Sequence, residues 1–247
     1  MSPKKDIPTS KKVIRKLSDL KEGQVFDYYA IVLEGASELQ LATIFSRLVS
    51  QGKLERLGKG KFYKPRNTAF GPVRPPEEEI IKSLTLRKGK IIGYETGLSL
   101  YNRMGLTTQV SNTIIIATNT VNKPKTIRGF KIKYSRQRVT ITKKNIPLLQ
   151  LLDALQDIKR IPDTTVDRTF VLLKKRMLRL DASNKKLLVD TAMEYNAATR
   201  ALLGALFEEY LPMTNVDKLK RSLNSLSKYK IDISPALLPN KSNWNII

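Results

Sequence analysis

The stretch FSRLVSQGKLERLGKGKFYKP, Phe45–Pro65, opens on helical spacing and ends as a ribbon. Its helix starts upstream, where Ser37 is placed to cap. Leu39, Ala42, Phe45, Leu48 and Val49 then recur at three-and-four spacing, which predicts a face turned to a core. Gly52 stops the helix. KLERL follows with alternating character, GKG at 58–60 turns the chain, KFYKP returns, and Pro65 ends the segment. A helix joined this tightly to a lysine-bearing hairpin is the winged-helix pattern.

That pattern sets up a nucleic-acid reading. The outward side of the predicted helix carries Gln40, Thr43 and Arg47, with Ser46 and Ser50 beside them. A recognition helix in a major groove turns such side chains to base edges. Glutamine pairs with adenine there and arginine with guanine. Ser37, Gln40, Thr43, Ser46 and Arg47 are the expected groove residues, and Arg56, Lys59 and Lys61 the expected phosphate contacts of the hairpin. The competing reading is a winged helix used only for protein contacts.

Composition points the same way. The 247 residues hold 45 Lys and Arg against 22 Asp and Glu, a formal +23. Such a field attracts polyanions: DNA, RNA or an anionic membrane surface. Residues 80–147 carry 14 basic side chains and one acid, Glu95, whereas 148–247 carry 16 basic and 11 acidic. Within Lys123–Lys144 lie nine basic residues and no acid. Lys131, Lys133, Arg136 and Arg138 are expected on one sheet face as a second phosphate-contacting surface, or as an edge guarded against aggregation. No apolar run is long enough to cross a bilayer and the start of the chain has no secretory h-region, so a cytoplasmic location is expected.

The rest of the chain sorts by period. SKKVIRKLSDL spaces Val13, Ile14 and Leu17 on one helical face, and YYAIVLEG ends at Gly35 as a C-cap. RNTAFGPVRPP is a linker by its prolines and glycine. EEEIIKSL reads as a helix start, RKGKIIG and TIIIA as strands, and FKIKYSRQRVTIT as one or two more. From Ile146 the period is helical, and Trp244, the single tryptophan, is expected to pack as an anchor. The predicted fold is α+β. A tail and winged helix-turn-helix occupy 1–66, a linker 67–76, an α+β unit with a small sheet 77–145, and a helical array 146–247.

Catalysis is not legible. There is no histidine and no cysteine, which removes imidazole bases and thiol ligands. Gly52–Gly58 fails the phosphate-loop spacing. The pairs Asp153/Asp157 and Glu208/Glu209 read as solvated helix charges rather than Mg²⁺ ligands. No enzyme activity, cofactor or metal is expected.

TIFSRLVSQGKLERLGKGKFYKP resembles the end of the winged helix in AbiE-type antitoxins of bacterial type IV toxin–antitoxin systems. The match falls at Gly52, Leu54, Arg56, Leu57, Gly60, Tyr63 and Pro65. IIGYETGLSLYNRMGLTTQVSNTIIIATN resembles the opening of that family's second domain, at Gly93, Gly97, Leu98, Leu100, Gly105 and Leu106. Together these segments cover roughly residues 10–140. The helical part from about 146 is longer and more regular than in the shortest members. The resemblance implies an autorepressor that binds double-stranded DNA at repeats in its own promoter. It also implies phage defence, by opposing a cognate toxin of the nucleotidyltransferase type. Two other classes remain: an RNA-binding or nucleic-acid-processing factor, and an accessory subunit of a defence system.

Overall fold

The computed structural model describes residues 8–31 and 36–247. The expected cap at Gly35 lies outside the described residues. The chain is α+β and divides into two compact units, Met1–Ile92 with Thr126–Phe130, and Gly93–Lys125 with Lys131–Ile247.

The first unit begins with helix α1 (Thr9–Ser18), strand β1 (Val25–Asp27) and a 3-10 turn (Tyr28–Ile31). Helix α2 (Glu38–Ser50) and strands β2 (Glu55–Gly58) and β3 (Lys61–Tyr63) follow. The strands form one antiparallel sheet in the order β1-β3-β2, with Phe62 opposite both Phe26 and Arg56. The core joins Val13 and Leu17 of α1 to Leu41, Phe45 and Leu48 of α2 and to Phe26, Leu54 and Phe62 of the sheet region. Phe45 meets Phe62 edge-on at 5.1 Å and Phe26 at 6.0 Å. Each such ring pair adds about 0.5–1.5 kcal/mol beyond burial.

The core face of α2 runs through 41, 45 and 48, not through Leu39, which is 81% exposed. Leu39 precedes Leu41 by two residues, a rotation of about 200° that puts it on the opposite side of the helix. Ile14 likewise lies outside the α1 core face of Val13 and Leu17. The helix end is as the sequence requires. Gly52 has φ +68°, its N–H donates to Val49 O, and Lys53 N–H donates to Leu48 O. This is a Schellman closure, in which only glycine takes the left-handed position without strain.

The expected linker is in part a hairpin, β4 (Arg66–Thr68) and β5 (Gly71–Val73), with Asn67 opposite Pro72. A two-stranded ribbon tolerates a proline where its nitrogen faces away from the partner strand. Helix α3 (Glu77–Thr85) and the short pair β6 (Leu86–Arg87) and β7 (Lys90–Ile91) belong to the first unit rather than to the second domain as the sequence suggested. Ile80 and Leu84 are buried, Val25 N–H donates to Glu79 Oε2 at 2.8 Å, and Lys61 Nζ donates to the Ser83 carbonyl.

The second unit holds β8 (Gly93–Thr96), α4 (Leu98–Arg103), β9 (Thr113–Thr118) and, from Lys131, β11 (Phe130–Arg136), whereas Thr126 and Ile127 of β10 (Lys125–Ile127) are counted with the first. The sheet order is β10-β11-β9-β8, with β9 antiparallel to β8 and parallel to β11. The strand pattern read through Ile141 stops at Arg136. Five helices follow: α5 (Ile146–Gln156), α6 (Val166–Leu178), α7 (Ala182–Ala192), α8 (Ala197–Tyr210) and α9 (Asp217–Arg221). Thr165, Asp181 and Asn196 cap α6, α7 and α8 by accepting from the backbone N–H three residues on. The α8 helix is buried on all sides through Ala201–Phe207, and Trp244 closes over it with no exposed surface. Among the described residues no helix is long and apolar enough to cross a membrane.

Candidate nucleic-acid interface

Ser37 begins the outward side of α2, and it is already engaged. Its Oγ accepts from Gln40 N–H at 3.2 Å, and Gln40 Oε1 accepts from Ser37 N–H at 3.1 Å. The two form a capping box. Adenine recognition by glutamine uses both its acceptor and its donors. With Oε1 held by the cap, Gln40 keeps only its N–H donors for a ligand. Thr43 donates its hydroxyl to Leu39 O at 3.0 Å, the back-bonding usual for threonine inside a helix.

Arg47 and Ser46 remain. Both are exposed, and neither side chain has a partner among the described residues. Beside them Thr9, Ser10, Leu39, Gln40, Thr43, Ile44 and Arg47 line a surface depression of about 510 Å³. An exposed leucine beside an unpaired arginine offers both contacts that a groove supplies: a methyl group and a bidentate acceptor edge.

The β2–β3 hairpin treats its three expected cations differently. Lys59 is exposed at the turn. The Arg56 guanidinium lies 5.5 Å from the Phe62 ring centroid and stays exposed at its outer side. The Lys61 ammonium is half-buried on the Ser83 carbonyl, which fixes α3 to the sheet and takes this lysine away from any phosphate. A cation that sequence reading did not single out covers the same hairpin. Arg128 donates to Glu55 Oε2 at 2.6 Å and to Arg56 O at 2.9 Å, with its guanidinium 5.5 Å from the Tyr63 centroid.

The second basic surface divides. Strand alternation puts Lys131 and Lys133 on one face of β11, and Arg136, with Ile132 and Tyr134, on the other. Arg138 lies past the strand end. All four are exposed, but they do not form a single row. Arg136 and Arg138 instead line a cavity in the second unit.

At the floor of that cavity sit residues that the sequence reading set aside. Asp153 accepts from Tyr94 OH on Oδ2 at 2.8 Å and from Tyr195 OH on Oδ1 at 2.7 Å. Gln137 Nε2 donates to both tyrosine oxygens, at 2.8 and 3.2 Å. Burial raises the Asp153 carboxyl above its ordinary value, against the hydrogen bonds from Tyr195, Thr96 and Tyr94, which lower it. Burial likewise pushes the Tyr94 and Tyr195 hydroxyls well above the usual tyrosine range. Asp157 accepts from Tyr101 OH at 2.9 Å and pairs with Arg160. Asp153 is therefore the centre of a polar network, not a solvated helix charge. Glu208 is similarly engaged, accepting from Trp244 Nε1, Asn240 Nδ2 and Lys220 Nζ. Among the described residues no group of acids is arranged to hold a metal ion.

No curated protein and no solved structure matches the chain. Residues 12–184 match the model of a family described as of unknown function, DUF6088, a span from α1 into α7 that takes in the α2 face and most of the cavity wall. That match exceeds half of the chain, and the protein belongs to this family.

Proposed function

We propose that the first unit is a winged-helix DNA-binding module, with α2 as its recognition helix and β2–β3 as its wing. The supporting observation is the unpaired Arg47 guanidinium, in the last turn of α2 with exposed Ser46 and Leu39 on the same helix, ahead of a hairpin tipped by Lys59. The element order fits: helix, strand, short helical turn, helix, then two strands on a sheet ordered β1-β3-β2. The +23 charge supplies the sequence-independent attraction. In this reading Arg47 reads a base, Lys59 and Arg56 approach phosphates, and Ser37 and Gln40 hold the helix end that aims Arg47. The protein acts in the cytoplasm as an autorepressor at its own promoter repeats. Its role as antitoxin against a nucleotidyltransferase-type toxin rests on the sequence resemblance alone.

The test uses the full chain, because α3 completes the first unit and a fragment ending at 66 would lose it. Fluorescence anisotropy compares the protein's own promoter duplex, a random duplex and single-stranded RNA over a range of salt. Arg47→Ala should cost about 1–3 kcal/mol on the promoter duplex and little on random DNA. Lys59→Gln should weaken both duplexes alike. RNA bound more tightly than either duplex, or Arg47→Ala without effect on any of them, would overturn the DNA reading. Growth rescue on co-expression with a toxin of that class encoded beside this gene tests the antitoxin role.

A further inference from the structure

The cavity around Asp153 is not needed to explain the first unit, and its chemistry is distinct. It has a volume of about 490 Å³, within the range of small-ligand sites. It opens where the parallel strands β9 and β11 end, lined by Ala117 and by Ser135–Arg138. Ligands of open α/β sheets collect at carboxyl ends of strands. Asn196, the N-cap of the 14-residue α8, lies on the same wall and adds the positive end of a helix dipole.

The floor is fixed in one orientation. Gln137 Oε1 accepts from Val139 N–H at 3.0 Å, so its amide nitrogen must face the tyrosines. Both tyrosine hydroxyls then donate to Asp153, one to each oxygen. Thr96 is a third donor to this carboxylate, which leaves one of its lone pairs for a ligand. At the rim the balance is opposite. Arg160 is paired with Asp157, but among the described residues neither Arg136 nor Arg138 has a carboxylate or a hydrogen-bond partner. The wall opposite is tight: a Cβ on Gly97 would stand 2.7 Å from Ile115 Cδ1. A preorganised acceptor at one end and two uncompensated guanidiniums at the other describe a ligand with a doubly charged anion and hydroxyl or amino donors.

We propose that this cavity binds the phosphate monoester of a nucleoside, with its phosphate at Arg136 and Arg138 and its sugar or base donors at Asp153. Two guanidiniums match a phosphate dianion better than a single carboxylate, and their planar forks suit its oxygens. A free mononucleotide and the 5′-phosphate end of a nucleic-acid strand present this same chemistry.

Isothermal titration of the full chain tests it with five probes: adenosine monophosphate, adenosine, inorganic phosphate, and a short single strand with and without a 5′-phosphate. The monophosphate or the phosphorylated strand should bind saturably and raise Tm by mass action. Adenosine and the unphosphorylated strand should not. Which of the two phosphorylated probes binds more tightly identifies the source. Arg136→Gln with Arg138→Gln should raise Kd by about tenfold or more while leaving the unliganded Tm in place, because both side chains are exposed. Lys131→Gln with Lys133→Gln removes the same charge outside the cavity lining and should leave Kd unchanged. Equal weakening by the lysine pair, or no saturable binding of any phosphorylated probe at millimolar concentration, would overturn the proposal.

Discussion

Gly204→Ala should destabilise the second unit, although alanine is the better helix former. A Cβ built on Gly204 would overlap Cζ3 and Cη2 of Trp244 and stand 2.7 Å from Cε3. Trp244 is fully buried, and its indole N–H donates to Glu208 Oε2 at 2.7 Å, so the ring cannot retreat without stretching a bond to a charged group. Overpacking a core costs about 1–3 kcal/mol. Weakening a hydrogen bond to a carboxylate adds part of its worth of about 1.5–3 kcal/mol. The helix preference of alanine offsets about 1 kcal/mol. The net expectation is a loss of about 2 kcal/mol. Denaturant unfolding followed by far-ultraviolet circular dichroism measures it, and emission of the single tryptophan reports the same ring. The sign should invert in a Trp244→Ala background, where Gly204→Ala should gain about 1 kcal/mol by propensity alone. A Gly204→Ala protein as stable as the parent, with Trp244 present, would refute the packing.

Three further outcomes are expected. Partial burial works against the Glu208 charge, but hydrogen bonds from Trp244 and Lys220 outweigh it and hold the carboxyl below its ordinary 4.5. The stability it supplies is full above that value and is lost as pH falls through the lowered one. The denaturation midpoint of Glu208→Gln should lie below the parent's at neutral pH, and the gap should close in acid. Arg128→Ala removes two hydrogen bonds and the cover of Tyr63 at a half-exposed site, and thermal unfolding should show a loss of about 1 kcal/mol; no loss would mean that solvent screens the pair. If DNA reaches β11, Lys131→Gln with Lys133→Gln should lower the slope of log affinity against log salt by about 2, at 0.9 per phosphate.

The hairpin after α2 was legible because its signals are local: a glycine that must be left-handed, a two-residue period and a closing proline. The face of α2 was not read correctly, although the information was present. Spacing through 39, 42, 45 and 48 and spacing through 41, 45 and 48 both satisfy a helix. Only burial separates them, with Leu41 at 5% and Leu39 at 81% exposed. Ser37 and Gln40 form the S-x-x-Q signature of a capping box, which tells against Gln40 as a free base-reading side chain and was overlooked in favour of its outward position. The linker was misjudged because proline content says where ladder donors are missing, not whether a two-stranded edge can do without them. The Asp153 network left no trace at all. Its partners Tyr94, Gln137 and Tyr195 come from three distant parts of the chain, and two acids four residues apart on a helix look the same whether they face water or two tyrosines.

The basic middle of the chain shows why counting charge along a sequence overstates a surface. In the first unit Lys82 pairs with Glu79, Arg128 with Glu55, and Lys88 lies 4.2 Å from the Tyr29 ring centroid. In the second, Arg103 is bound to the buried Glu95, and Lys125 lies over Tyr134. Five of the fourteen cations in residues 80–147 are thus matched in the fold, three by carboxylates, two of which come from outside the run, and two by tyrosine rings. Lys131 and Lys133 stand two residues apart on one strand face, a separation of about 6.6 Å, and in water repel by about 0.6 kcal/mol. A folded protein tolerates that without a counter-ion, so the run itself does not demand a polyanion. Contact with DNA at β11 would therefore involve two lysines and two phosphates. If duplex DNA reaches β11, the salt slope should drop with the lysine pair but not with Arg136 and Arg138.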